Sequence, residues 1–121
     1  MDSPALNSIS LCSGVGMLDL GVSIGLEYLG IRTRPVAYLE RESSAAAMLL
    51  ARMEEQTLEP APVWCGNLET FDYDRFCGVV DILTAGFPCQ PHSVAGKREG
   101  TDDDRWIWPA IMDAIRRLGC P

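Results

Sequence analysis

The stretch Val79-Val80-Asp81-Ile82-Leu83-Thr84-Ala85 is apolar at all but two positions and partly β-branched. Its apolar residues run continuously and do not alternate, which is the pattern of a strand buried on both faces of a parallel sheet. Parallel strands need crossovers, usually helices, so the rest of the chain has to alternate strand and helix. It does. Ser8-Ile9-Ser10-Leu11-Cys12 is a short apolar run ending at the turn Ser13-Gly14-Val15-Gly16. Met17, Leu18, Gly21, Val22, Gly25 and Leu29 then recur at helical spacing, with Gly30 as the stop. Pro35-Val36-Ala37-Tyr38-Leu39 is a second strand, ending at Glu40. Ser43 and Ser44 are placed to cap a helix from Ala45 to Glu55, which Pro60 and Pro62 close off. Val63-Trp64-Cys65 is a third strand, followed by Gly66-Asn67. After a Gly/Pro-rich turn from Gly86 to Gly96, the segment Trp106 to Leu118 carries Ile107, Ala110, Ile111, Ala114, Ile115 and Leu118 on one helical face, with Gly119 as its stop.

A length of 121 residues allows one domain, and 47% hydrophobic with 22% charged residues is the composition of a globular chain. The net charge of −7 argues against a protein that grips polyanions with its whole surface, so any basic contacts must be local. Five cysteines (Cys12, Cys65, Cys77, Cys89, Cys120) form an odd set without a C-x-x-C pair, which fits a reducing compartment better than a disulfide framework. Only Cys89 and His92, the single histidine, approach metal-ligand spacing, so no metal site is expected. The start Met1-Asp2-Ser3-Pro4 has neither the basic residues nor the apolar run of a signal peptide, and a cytoplasmic protein with no membrane partner is expected.

Open α/β sheets bind ligands at the carboxyl ends of their strands, and the polar clusters of this sequence fall there. Cys12-Ser13-Gly14-Val15-Gly16 is a glycine turn between strand and helix, where a ligand meets bare backbone and free N–H groups; alone, it is equally a tight turn. Glu40, 24 residues after Gly16, stands where an acid holds ribose hydroxyls, or belongs to the solvated run Glu40-Arg41-Glu42. Asn67 is placed to bond an adenine edge, or closes a plain Gly-Asn turn. Cys89 sits in Gly86-Phe87-Pro88-Cys89-Gln90-Pro91-His92-Ser93, a proline-framed turn with Lys97 and Arg98 close by in sequence. A cysteine so placed is a candidate nucleophile, whereas the other four read as small buried hydrophobes.

Gly86-Phe87-Pro88-Cys89-Gln90 resembles the catalytic Pro-Cys motif of the DNA (cytosine-5) methyltransferases, with Asp81-Ile82-Leu83 as the strand before it. The glycine turn, the acid after strand two and Gly66-Asn67 follow in that family's order, and Gly96-Lys97-Arg98-Glu99-Gly100 with Asp104-Arg105 resembles its next block. The resemblance runs from Ser8 to Leu118 and reads residues 1–121 as the N-terminal portion of such a catalytic domain. It implies a Rossmann-like class I methyltransferase fold, incomplete, with strands one to four of a parallel sheet in the order 3-2-1-4. It implies S-adenosyl-L-methionine as cofactor, bound by Cys12, Ser13, Gly14, Val15, Gly16, Glu40, Arg41, Asn67, Leu68 and Pro88. It further implies Cys89 as the nucleophile that adds to cytosine, and Gln90, Ser93, Lys97 and Arg98 against DNA.

The sequence also departs from the family. Cys12 stands where an aromatic is usual, Ser10 and Asn67 where acids are usual, Met17 where a glycine is, and Arg41 where an adenine-stacking aromatic is. No Glu-Asn-Val motif, the source of the glutamate that handles the cytosine ring, occurs in the sequence. The expected partners are therefore DNA and a second polypeptide carrying the later motifs, or a second copy paired along the unprotected outer strand. The alternatives are an inactive remnant, half of a split enzyme, or a Rossmann-like methyltransferase of RNA or a small molecule.

Overall fold

The computed structural model describes residues 4–86 and 107–119. Along the chain lie β1 (Ala5–Leu11), α1 (Met17–Glu27), β2 (Arg32–Leu39), α2 (Ser43–Glu54), β3 (Val63–Trp64), β4 (Ile82–Ala85) and α3 (Trp108–Gly119). Two 3-10 turns, Leu68–Thr70 and Tyr73–Phe76, lie between β3 and β4. The described strands form one parallel sheet in the order β3-β2-β1-β4, as expected, with β4 at an edge. The strand order reverses beside β1, so a crevice opens between the carboxyl ends of β1 and β4, the place where such sheets take ligands.

Several boundaries differ from the sequence reading, β1 among them, which spans Ala5–Leu11 and not Ser8–Cys12; three have a plain local reason. β2 begins at Arg32, whose N–H donates to the Pro4 carbonyl and sets the pairing Ala5↔Arg32. β4 is confined to Ile82–Ala85 because side chains replace the ladder before it. Asp81 Oδ2 accepts the Asn7 N–H at 2.8 Å, and Asn7 Nδ2 donates to the Val79 carbonyl at 2.9 Å. α2 starts at Ser43 with Glu42 as its N-cap residue and without a side-chain cap, so Ser43 and Ser44 lie inside the first turn and do not cap it. The stop at Gly30 is as expected. Gly30 has φ 76°, its N–H bonds the Glu27 carbonyl, and the Ile31 N–H bonds that of Leu26, a Schellman ending.

The two faces of the sheet are chemically unlike. On one face Ile9, Leu11, Ala37 and Leu39 pack with Tyr73 and with Ile111, Ala114 and Leu118 of α3. On the other, Tyr38, Leu49 and Leu58 make a smaller cluster with Leu20 and Met53. α1 buries none of its residues. Met17 and Leu29, two members of its periodic apolar set, are 68% and 73% exposed, so that set does not face the sheet. Among the described residues Cys12 and Cys65 are free thiols while Cys77 is disulfide-bonded, which departs from the fully reduced set expected. No described helix is long and apolar enough to cross a membrane.

Candidate functional site

The chain leaves β1 through a turn built on left-handed backbone. Cys12, Gly14 and Gly16 have φ of 50°, 59° and 86°. The Ser13 N–H donates to the Leu39 carbonyl at 3.1 Å, and the Gly16 N–H to the Ser13 carbonyl at 3.0 Å. A Cβ on Gly14 would meet nothing within 4 Å, so its backbone is open to a ligand. A Cβ on Gly16 would lie 2.6 Å from Leu58 Cδ1, so glycine is required there by both conformation and space. Gly16→Ala is therefore expected to destabilise the chain by about 1–3 kcal/mol, mostly backbone strain, as a lowered urea midpoint. Gly14→Ala meets only the strain, and an equal loss in the two would overturn the contribution of the Leu58 contact.

Glu40 is the acid at the end of β2, and only 8% of its surface is exposed. Its Oε1 accepts the Gly14 N–H at 2.8 Å and its Oε2 accepts the Glu42 N–H at 2.7 Å. Two backbone donors hold the carboxylate still, yet each oxygen keeps a lone pair for a further donor such as a hydroxyl. Sequence spacing brought Glu40 and the glycine turn together only by analogy; here they touch.

Both border a cleft of about 570 Å³, a volume within the usual range for small-molecule sites. Cys12, Gly14, Glu40, Arg41, Asn67 and Leu68 line it, together with Glu42, Gly66, Glu69, Gly86, Ile107 just before α3 and Ala110 within it. Ser13, Val15 and Gly16 do not line it: Ser13 and Gly16 are buried beneath the turn and Val15 points outward. Burial, and then the Glu40 carboxylate, push the Cys12 thiol up to about 11, against an opposing pull from Arg41. Cys12 is thus a neutral wall of the cleft at pH 7 and no nucleophile. The Asn67 side chain is exposed and makes no hydrogen bond among the described residues. Its neighbour Leu68 is fixed from below, because the buried Tyr73 donates its hydroxyl to the Leu68 carbonyl at 2.8 Å. Tyr73 and α3 went unnoticed as parts of the site, since neither belongs to a motif; only the apolar period of α3 was legible.

A family model for C-5 cytosine-specific DNA methylases matches residues 6–118. The chain belongs to that family. Among curated relatives, it is 36% identical over 110 residues to Type II methyltransferase M.NgoMIV of Neisseria gonorrhoeae, covering 90% of this chain and 30% of that protein. It is 36% identical over 104 residues to Type II methyltransferase M.PspPI of Psychrobacter sp., covering 85% of this chain and 22% of that one. With Type II methyltransferase M.HgiCI of Herpetosiphon aurantiacus the identity is 35% over 101 residues, covering 83% and 21%. The chain therefore spans less than a third of the length of these methylases. The expected cofactor contact Pro88, the expected nucleophile Cys89 and the expected DNA contacts Gln90, Ser93, Lys97 and Arg98 lie outside the described residues.

Proposed function

We propose that this chain is the cofactor-binding and nucleophile-bearing part of a DNA (cytosine-5) methyltransferase that uses S-adenosyl-L-methionine. The observation that carries the reading is the Glu40 carboxylate, locked by the Gly14 and Glu42 N–H groups at the mouth of the cleft. Its residual acceptor capacity suits a pair of ribose hydroxyls, and the open face of Gly14 suits close approach of a ligand. Arg41, Asn67 and Leu68 are assigned to the adenine side, and Pro88, outside the described residues, is assigned to the cofactor by the family resemblance. Bound there, S-adenosyl-L-methionine supplies an electrophilic methyl group.

Cys89 is the nucleophile. Cytosine C5 is itself poorly nucleophilic; addition of the Cys89 thiolate at C6 makes C5 enamine-like and reactive. Loss of the C5 proton and elimination of the thiolate then restore the free enzyme. The target base has to leave the stack to be reached, and Gln90, Ser93, Lys97 and Arg98 are assigned to that DNA surface. With a net charge of −7, these local cations need support from additional basic surface to hold a duplex.

Titration calorimetry of S-adenosyl-L-methionine into the chain tests the site. Saturable binding is expected in the wild type and none in Glu40→Ala, whose circular dichroism should be unchanged. Equal binding by the two proteins would refute the assignment of Glu40.

In the chain by itself the outer edge of β4 is placed to pair with a second copy. β4 is bonded on one side only among the described residues, and its one nearby charge, Asp81, is already engaged by Asn7. Light scattering is expected to show mass rising with concentration; a stable monomer at high concentration with protected β4 amides would overturn this.

A further inference from the structure

The side of the sheet under α1 is polar where its neighbours are apolar. Ser10 of β1 and Thr84 of β4 are register partners. Asp19, in the first turn of α1, reaches both: its Oδ2 accepts from Ser10 Oγ at 2.8 Å and its Oδ1 from Thr84 Oγ1 at 2.6 Å. An ionised carboxylate only accepts, so both hydroxyl protons point to it. Ser10 has no second proton, so its 2.7 Å contact with Ser13 Oγ can only be donated by Ser13, whose hydroxyl also reaches the Ser10 and Leu39 carbonyls at 3.2 and 3.3 Å. Ser13 is in turn tied to the end of β2 by its N–H on the Leu39 carbonyl. One directed chain of hydrogen bonds thus links β4, α1, β1, the glycine turn and β2, and its hydroxyls are at most 9% exposed.

Apolar contact fixes α1 only in part: the helix has no buried residue, and its half-buried Leu20 packs against Tyr38, Leu49 and Leu58. Attraction of an acid to the helix N-terminus would be met by any orientation in the first turn, solvent included. Neither effect explains why Asp19 points into the sheet. We infer that Asp19 is a positioning residue, whose carboxylate ties the glycine turn to β4 and so holds the cofactor-facing backbone of Gly14 in place. β4 is also the strand that runs on to Gly86, whose N–H bonds the Leu11 carbonyl at 3.2 Å. The network therefore registers the cofactor turn against the strand that leads in sequence to Pro88 and Cys89. This inference rests on the S-adenosyl-L-methionine reading of the cleft.

Three variants test it: Asp19→Ala, Asp19→Asn, and the exchange Ser10→Asp with Asp19→Ser. The exchange returns a carboxylate to the same spot from the strand side, since Ser10 Oγ already lies 2.8 Å from the Asp19 oxygen and faces Thr84 across the ladder. Calorimetry should show S-adenosyl-L-methionine binding weakened about 10-fold or more in Asp19→Ala, because small displacements of a binding backbone are amplified in affinity. Amide exchange at Gly14 and Gly16 should quicken while α2 is unchanged. Asp19→Asn, which keeps one acceptor oxygen and the side-chain shape, should fall between, and covers the case in which Asp19→Ala does not fold. The exchange variant should recover both readouts. Unchanged affinity and exchange in Asp19→Asn and Asp19→Ala would overturn the inference. So would a uniform loss of protection that the exchange variant fails to restore, the mark of a purely structural role. If wild-type protein bound no S-adenosyl-L-methionine, the reading of the cleft would fall, while the Gly14 and Gly16 amides would still decide the role of Asp19.

Discussion

Radiolabelled methyl transfer into duplex DNA is expected from this chain only when it is supplied with a polypeptide carrying the remainder of a C-5 methylase, and is expected to vanish in Cys89→Ser. The chain covers 21–30% of the three relatives named above and contains no Glu-Asn-Val motif. Without the ring-handling glutamate, addition to C6 proceeds unassisted, and acid assistance is typically worth about 10²–10⁴-fold. The deficit of basic surface lowers occupancy of DNA further, because affinity follows the number of phosphates neutralised. Replacing sulfur by oxygen at Cys89 exchanges the proposed thiolate for a hydroxyl that stays un-ionised near neutral pH, so the reconstituted rate should drop at least about 10³-fold. Cys12→Ser is the control. That thiol is pushed up to about 11 and stays neutral, so its loss should leave most of the activity. Turnover by the chain alone would show that the later motifs are dispensable. Turnover surviving in Cys89→Ser would remove Cys89 as the nucleophile.

The fold was legible wherever apolar continuity carried the information. A strand within the run Val79–Ala85, the strand-to-helix turn after Leu11 and a helix within a residue or two of the expected Trp106–Leu118 are all present, and the sheet has the expected parallel order. Strand ends were not legible, because they are set by contacts between distant residues. Asn7 takes Asp81 and Val79 as partners 74 and 72 residues away, and so shortens β4. The packed face of α1 was hidden for a related reason. Its apolar period pointed to Met17 and Leu29, whereas the residues that meet the sheet are Leu20, outside that period, and the acid Asp19, held by hydroxyls from two strands. A hydrophobic pattern cannot reveal a helix docked in part by hydrogen bonds. At the cleft, Glu40 and the glycine turn were legible from spacing. Ile107, Ala110 and Tyr73 were not, since they reach the site through tertiary packing and belong to no motif.

Ile111→Ala is expected to destabilise the chain by about 2–4 kcal/mol, a large share of the ~6–18 kcal/mol typical for a domain of this size. Ile111 is 2% exposed and packs with Ile9, Leu11, Leu39 and Tyr73 in the main core. The rigid strands on one side and the helix backbone on the other leave the vacated volume little room to collapse, which places the cost well above the transfer term alone. Ile115, four residues on and 45% exposed, has the same chemistry without the burial, so Ile115→Ala should stay within about 0.5 kcal/mol. Urea denaturation followed by circular dichroism measures both, and a similar shift in the two midpoints would mean that α3 does not close the core. The consequence reaches the cleft, because Ala110 on the same helix and Ile107 just before it form its wall, and the Ile111 N–H donates to the Ile107 carbonyl at 3.0 Å. A loosened α3 therefore opens the adenine side of the site, and weaker S-adenosyl-L-methionine binding should accompany the loss of stability in Ile111→Ala but not in Ile115→Ala.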